Sequence, residues 1–257
     1  MDYQFQDKIA VITGAAGGIG SACVKKFYEN GAKVALLDIR EDLCEKTVEK
    51  LELDKERVLC LAGDLADEKQ VKALVDKVLE HFGTIDFLVN TAGIQGATAR
   101  IEEYEYEEMK RIMNINFFGT LLMMHYVLPI MQAKGKGSIV NFGSCSGMFG
   151  YTFEVAYGAS KAAIIEITKC AAAENGINGV RINSISPGWV DTGMYREVIE
   201  SYKGNGFENP LDNVNLGPME RPATPMEMAN CVAFLCCDDA SFVNGCNFVA
   251  DGGKTIC

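Results

Sequence analysis

Two side chains four residues apart carry the strongest chemical signal in the sequence: Tyr157 and Lys161, in the run Tyr157-Gly158-Ala159-Ser160-Lys161. On a helix this spacing puts both on one face. A phenol titrates at about 10 and is a poor acid–base group at neutral pH. An ammonium beside it favours the phenolate and lowers that value. Such a pair can give a proton to, or take one from, a carbonyl or alcohol oxygen. In isolation the same spacing is a common surface coincidence, so its meaning depends on what else the chain provides.

A second signal is glycine-rich. Thr13-Gly14-Ala15-Ala16-Gly17-Gly18-Ile19-Gly20 sits between a β-prone run, Lys8 to Thr13, and a helix-like segment, Ser21 to Asn30. Glycines at this place let the chain turn sharply and let a pyrophosphate approach a helix N-terminus, where free N–H groups and the helix dipole favour anionic oxygens. Asp38 ends the next apolar run, 18 residues after Gly20. A carboxylate there accepts hydrogen bonds from an adenosine ribose diol and repels a 2′-phosphate. Neither Ala15 nor Ala16 supplies a positive charge for such a phosphate, so the expected cofactor is NAD rather than NADP. Arg40, two residues on, is the one nearby cation that argues the other way.

These residues need a frame. Strand-like runs cover Lys8–Thr13, Lys33–Asp38, Arg57–Ala62, Phe87–Asn90, Ser138–Phe142, Arg181–Ser186 and Cys246–Ala250. Helical segments alternate with them: Ser21–Asn30, Glu41–Leu53, Glu68–Phe82, Glu105–Ala133, Val155–Asn175 and Met226–Cys236. Short apolar strands alternating with helices suit a parallel sheet buried on both faces. The expected fold class is α/β, a single-domain doubly wound (Rossmann) sheet over residues 1–257. The stretch from Trp189 to Pro225, rich in Gly, Asn and Pro, is expected to be an irregular lid over the substrate site.

The glycine loop, the acidic strand end and the Tyr/Lys pair, in this order, resemble the short-chain dehydrogenase/reductase family, and the likeness runs from Lys8 to Gly253. Asp64-Leu65 follows the third strand, like the family's adenine contact. Asn90-Thr91-Ala92-Gly93 is similar to its N-N-A-G segment, with Thr91 in place of the second Asn. Asn116-Phe117-Phe118-Gly119 resembles its N-x-x-G motif. Ser144 lies 13 residues before Tyr157, where the family places a serine, and Pro187-Gly188-Trp189-Val190-Asp191-Thr192 resembles its P-G-x-x-x-T nicotinamide loop. Asp251-Gly252-Gly253 matches its usual C-terminal end.

The resemblance implies that Tyr157 is the general acid/base, with Lys161 lowering its pKa and holding the nicotinamide ribose. It implies that Ser144 binds the substrate oxygen and that Asn116 holds a water linking Lys161 to solvent. Gly14, Gly18, Ile19, Gly20, Asp38, Asp64, Leu65, Asn90, Ala92, Gly93, Pro187, Gly188, Val190 and Thr192, with Tyr157 and Lys161, would contact NAD. Residues Met148 to Phe153, with Met194, Tyr195, Tyr202 and Phe207 of the lid, would wall an apolar and aromatic pocket. Such a pocket suits a hydrophobic or cyclic secondary alcohol or ketone, of hydroxysteroid or alicyclic type. A 3-oxoacyl-carrier-protein reductase has the same catalytic residues, but Asp38 and the acidic charge count against it. A non-catalytic NAD-binding sensor or scaffold would be favoured by loss of Tyr157 or Lys161, and both are present. The family commonly forms tetramers, so a homo-oligomer is expected.

Composition closes off other classes. The 257 residues carry 24 basic and 35 acidic groups, a net charge of −11. That is the wrong sign for a nucleic-acid binder or an anionic membrane surface. Among the ten cysteines no pair has C-x-x-C spacing, and the two histidines, His81 and His125, have no metal-ligand spacing, so no metal is expected. Buried reduced thiols and an N-terminus without a signal peptide point to a cytoplasmic protein. Ile115 to Ala133 lacks charge and is long enough to span a membrane, but Asn116, His125, Pro129 and Gln132 interrupt it, which favours a helix buried on the sheet. His125 is expected to be a core or interface group, and His81 a histidine at a helix C-terminus.

Overall fold

The computed structural model describes residues 3–204 and 214–256. Seven parallel strands form one sheet: β1 (Ile9–Thr13), β2 (Lys33–Asp38), β3 (Val58–Ala62), β4 (Phe87–Asn90), β5 (Gly137–Phe142), β6 (Val180–Pro187) and β7 (Asn247–Ala250). Their order is β3-β2-β1-β4-β5-β6-β7. The chain therefore winds outward from β1 in one direction, returns, and winds outward from β4 in the other. A crevice opens at the carboxyl ends of the strands where that direction reverses. There Thr13 of β1 lies between Leu37 of β2 and Asn90 of β4.

Strand periodicity divides the core. Ala10 and Ile12 face a layer built by α1 (Gly18–Glu29), α2 (Glu41–Lys50) and α8 (Pro225–Cys236), through side chains such as Val24, Phe27, Val48 and Val232. Ile9 and Val11 face the opposite layer, where α3 (Glu68–Phe82) contributes Val71, Leu74 and Val78, and α5 (Gly119–Lys134) contributes Met123, Val127 and Met131. The long α6 (Val155–Asn175) lies on that second face. Both sides of every central strand are covered, which is why the strands read as nearly continuous apolar runs.

Three expectations change in detail. The segment Glu105 to Ala133 is not one regular helix: α4 (Tyr106–Ile112) leads through a π-helical stretch, Met113–Phe118, into α5. The stretch from Trp189 to Pro225 contains a regular helix, α7 (Gly193–Gly204). Its Tyr195, Val198, Ile199 and Tyr202 recur at three- and four-residue spacing and pack with Trp189, Val214 and Leu216 as a small separate cluster. Residues 205–213 of the expected lid, including Phe207, lie outside the described residues. Finally, His125 is exposed on α5, its ring edge against Tyr126, rather than in the core of the chain. Residues Tyr106–Lys134 form one helical run long and apolar enough to cross a membrane by length and composition. Its Met123, Met124, Val127 and Met131 are buried on the sheet.

Candidate active site

The loop between β1 and α1 floors a cavity of about 530 Å³. Gly14 has φ +61, and a Cβ there would stand 2.8 Å from the Ala92 Cα. A Cβ on Gly18 would stand 2.7 Å from Thr192 Cγ2. Side chains at these positions would fill the cradle. Gly17 caps α1 without a side chain, and the first turn of α1 carries no acidic residue, so the positive end of the helix dipole is left for an anion. Ile19, Gly20, Asp38, Asp64, Leu65, Ala92, Gly93 and Thr192 line the same cavity.

Asp38 is fixed by two backbone donors: Ala16 N–H to Oδ2 at 3.0 Å and Ile39 N–H to Oδ1 at 2.8 Å. Arg40, which a 2′-phosphate would need, points its guanidinium at Asp42 instead, with contacts of 2.8 and 2.6 Å. Thr91, the departure from the N-N-A-G pattern, donates its hydroxyl to the Thr13 carbonyl, and Ala92 N–H donates to Thr13 Oγ1 at 3.2 Å. The two strand ends that form the crevice are thereby tied together. Asn90 behaves differently from its neighbours. Its side chain is buried, donates to Asn141 Oδ1 at 2.9 Å, and lines neither this cavity nor the next. A glycine-floored cradle, an uncapped helix start and a restrained acidic strand end fit the pyrophosphate and ribose of a nicotinamide dinucleotide.

A second cavity, of about 130 Å³, shares Ile19, Thr91, Gly93, Thr192 and Met194 with the first. Ser144, Tyr157 and Lys161 meet in it, with Pro187, Gly188 and Val190 on its wall. Ser144 caps a short 3-10 turn and accepts Ser146 N–H at 3.1 Å. Its hydroxyl also hydrogen-bonds the Tyr157 phenol. Lys161 is buried in α6 and donates to the Phe142 carbonyl at the end of β5 at 2.8 Å. Its Nζ stands 5.5 Å from the centre of the Tyr157 ring.

Burial acts on both Tyr157 and Lys161. Burial raises the Tyr157 phenol well above its usual value, and the charge of Glu154 raises it further; the Ser144 hydrogen bond pulls it back. Lys161 donates to the Phe142 carbonyl and is itself pushed down to about 8 by burial. Burial therefore favours the neutral phenol of Tyr157.

Asn116 sits in the π-helical stretch and is fully buried. Its Oδ1 accepts Ile94 N–H at 2.8 Å, and its Nδ2 donates to the Ile94 carbonyl at 2.9 Å and to Ser160 Oγ at 3.1 Å. A π turn widens the helix locally, as often happens at functional sites. Here it lets one carboxamide clamp the loop after β4. Asn116 Oδ1 and Lys161 Nζ both border Gly93, at 3.2 and 3.5 Å from the position of a Cβ there.

The pocket wall is more polar than the sequence suggested. Met148 and Phe149 are exposed and do not line it. Its lining includes Gln95, Glu154 and Trp189, with Met194, Tyr195 and Val198 from α7. Lys254, far along the chain, is buried with its ammonium 4.3 Å from the Tyr151 ring centre and 4.6 Å from that of Trp189. No spacing signalled Glu154 or Lys254 beforehand. The one available cue for Glu154 was a lone acid three residues before Tyr157 in an otherwise uncharged run.

A cavity of about 930 Å³ lies at the amino ends of β1, β4, β5 and β6, around Phe5, Asp86 and Arg181, and holds none of the expected site residues. Among the described residues no cluster of His, Cys, Asp or Glu could hold a metal ion.

Comparisons place this architecture. The adh_short_C2 family model, described as enoyl-(acyl carrier protein) reductase, matches residues 14–255. Cyclohexanol dehydrogenase of Acinetobacter sp. (strain SE19) is 34% identical over 255 residues, 99% of this chain and 98% of the relative. The crystal structure of levodione reductase superposes with a TM-score of 0.93 at 34% identity, covering 98% of this chain and 99% of that one. That of NAD+-bound xylitol dehydrogenase gives 0.91 at 34% identity, covering 97% and 100%. The chain belongs to the short-chain dehydrogenase/reductase family and is one of its oxidoreductases.

Proposed function

We propose that this protein is an NAD-preferring dehydrogenase that interconverts secondary alcohols, cyclic ones included, and the matching ketones. The observation that carries this reading is the meeting of Ser144, Tyr157 and Lys161 in a cavity that shares a wall with the glycine cradle. When bound, the dinucleotide supplies the hydride acceptor or donor. Gly14, Gly18, Ile19 and Gly20 receive its pyrophosphate, Asp38 its adenosine ribose, and Asp64, Leu65, Ala92 and Gly93 the adenine side. Asn90 supports that wall from beneath. Pro187, Gly188, Val190 and Thr192 hold the nicotinamide end.

Ser144 hydrogen-bonds the reacting oxygen of the substrate. Tyr157 gives that oxygen a proton in reduction and takes one from it in oxidation. Lys161 holds the cofactor's ribose beside Tyr157, and Asn116 keeps the loop through Gly93 and Ile94 in place. Preference for NAD rests on Asp38 at the end of β2 and on Arg40 being engaged by Asp42. The NAD+-bound relative and the cyclohexanol-acting relative support the same choice of cofactor and substrate class. The reading includes a homotetramer joined through the uncharged face of α5, where Leu121 and His125 are exposed just after the exposed Phe118, together with α6 and the C-terminal strand. It also includes a cytoplasmic setting, in keeping with nine described cysteines that are all free.

The test is a panel of secondary alcohols and ketones with NAD(H) and NADP(H), followed at nicotinamide absorbance. Turnover with NAD(H) is expected. Absence of turnover across the panel would remove the reading in favour of a nucleotide-binding protein without catalysis.

A further inference from the structure

Three residues that line the smaller cavity each carry a buried polar atom with no hydrogen-bond partner: Glu154 Oε2, Gln95 Nε2 and Trp189 Nε1. Among the described residues the other such atom is Asn90 Oδ1, under the sheet. A buried polar atom without a partner is costly, so native proteins keep few of them, and a concentration in one cavity points to a ligand that completes them. Glu154 is the sharpest case. It is only 7% exposed, and its Oε1 accepts the Tyr202 hydroxyl of α7 at 3.3 Å. It stands at the N-terminal boundary of α6 but makes no capping bond there. Among the described residues no basic side chain forms an ion pair with it.

The three unpartnered atoms specify the chemistry of a group that would complete them. A carboxylate oxygen only accepts, whereas an amide NH₂ and an indole N–H only donate. A hydroxyl does both, so a hydroxylated ligand can answer all three. A carboxylate ligand would meet Glu154 with like charge. A cationic ligand would enter a corner already holding the Lys254 ammonium, which lies over the Tyr151 and Trp189 rings. A purely apolar alcohol would leave Oε2 buried with no donor. Glu154 lies three residues before Tyr157, so a group bound to it is close to the reacting carbon.

We propose that Glu154 is a specificity residue that accepts a hydrogen bond from a second hydroxyl of the substrate, so that neutral diols and polyols are used in preference to simple secondary alcohols, with Trp189 and Gln95 donating to oxygens of the same molecule. This rests on the alcohol dehydrogenase reading of the site above. The polyol-acting relative, xylitol dehydrogenase, is consistent with such a preference.

The experiment compares kcat/KM with NAD+ for matched pairs: cyclohexanol against 1,2-cyclohexanediol, and 2-butanol against 2,3-butanediol. In the unaltered protein the diols should be favoured by roughly 10- to 100-fold, the cost of leaving a buried site group unpaired. Glu154→Leu should bring the ratio within each pair towards one, chiefly through the KM of the diol. Glu154→Gln, which keeps an acceptor oxygen, should hold an intermediate ratio. NADH titration by fluorescence checks that the nucleotide half of each variant is intact. A ratio at or below one in the unaltered protein overturns the assignment and needs no variant. So does a Glu154→Leu protein that binds NADH but loses both members of each pair in parallel, the mark of a structural role. Equal use of alcohols and diols would overturn the Glu154 assignment alone, whereas turnover of neither would remove the dehydrogenase reading and this inference with it.

Discussion

The nucleotide half of the cleft is built mainly from backbone and small residues, whereas the substrate half is built from large side chains brought in from distant segments. Gly14 to Gly20 form a contiguous run, and Asp38 is held by amides of the same loop and of its own strand end. Across the shared wall, Gln95 comes from the segment after β4, Ser144 from the end of β5, Glu154 from the start of α6 and Trp189 from the end of β6. A site made of local backbone turns needs particular residues at fixed spacing. A site made of converging side chains needs only that several remote positions carry the right groups. The first should respond to mutation through nucleotide affinity, the second through turnover and substrate choice.

The largest effect expected separates these two responses. Tyr157→Phe removes one hydroxyl from the substrate half and leaves the glycine cradle untouched. Turnover should fall by about 10²- to 10⁴-fold, the usual worth of a positioned acid–base group. NADH affinity, read by fluorescence titration, should remain within about twofold. A normal rate in this variant would show that another group moves the proton.

The reverse separation is expected at Asp38. Asp38→Ala should weaken NADH by roughly tenfold or more, the scale of hydrogen bonds to a charged group, with a much smaller change for NADPH. The carboxylate also holds Ala16 and Ile39 N–H, so some loss comes from the loop itself. Asp38→Asn keeps part of that bonding and should discriminate less between the two cofactors without loosening the loop as far. Equal loss of both cofactors in each variant would mean that Asp38 only orders the turn.

The same contrast explains what could be read from the sequence. The strands, the order of motifs and the nucleotide cradle were legible because strand periodicity and glycine spacing are local properties. The Tyr157 and Lys161 pair was legible for the same reason, both lying on one helix. Helix α7 was missed because Gly, Asn and Pro around it dominate the segment, while its apolar stripe faces a small separate cluster rather than the main core. The π-helical stretch left no mark in the composition; its Asn116 bonds the backbone of Ile94, 22 residues earlier. Glu154 and Lys254 are buried through tertiary contacts that no local spacing announces.

A smaller effect tests the electrostatics of the substrate half. Oxidation of an alcohol needs the phenolate of Tyr157, so kcat/KM for oxidation should rise with pH as the phenol ionises. Burial and the charge of Glu154 raise that ionisation, and the Ser144 hydrogen bond lowers it. Glu154→Gln should therefore move the rising limb to lower pH, and Ser144→Ala should move it to higher pH, each by roughly 0.5 to 1 pH unit. The two variants must shift in opposite directions. Parallel shifts would mean that the limb belongs to another group, such as Lys161.

The smallest expected effect lies on the nucleotide half, at Arg40. A guanidinium free to reach a 2′-phosphate would erode the preference proposed for Asp38. In the structure it is instead bound to Asp42, which also receives Lys46 at 3.0 Å. Exposed pairs of this kind are weak and screened by salt, so the pairing is kept by convenience of geometry rather than by strength. Arg40 lines neither cavity, whereas Ile39 and Leu43 on either side of it line the larger one. Arg40→Ala should therefore change the ratio of NAD+ to NADP+ use by less than about twofold, measured at low and at moderate salt. A selective fall in NADP+ use, strongest at low salt, would show that Asp42 yields the guanidinium to the extra phosphate. Preference would then be set by competition between Asp38 and Arg40 rather than by Asp38 alone.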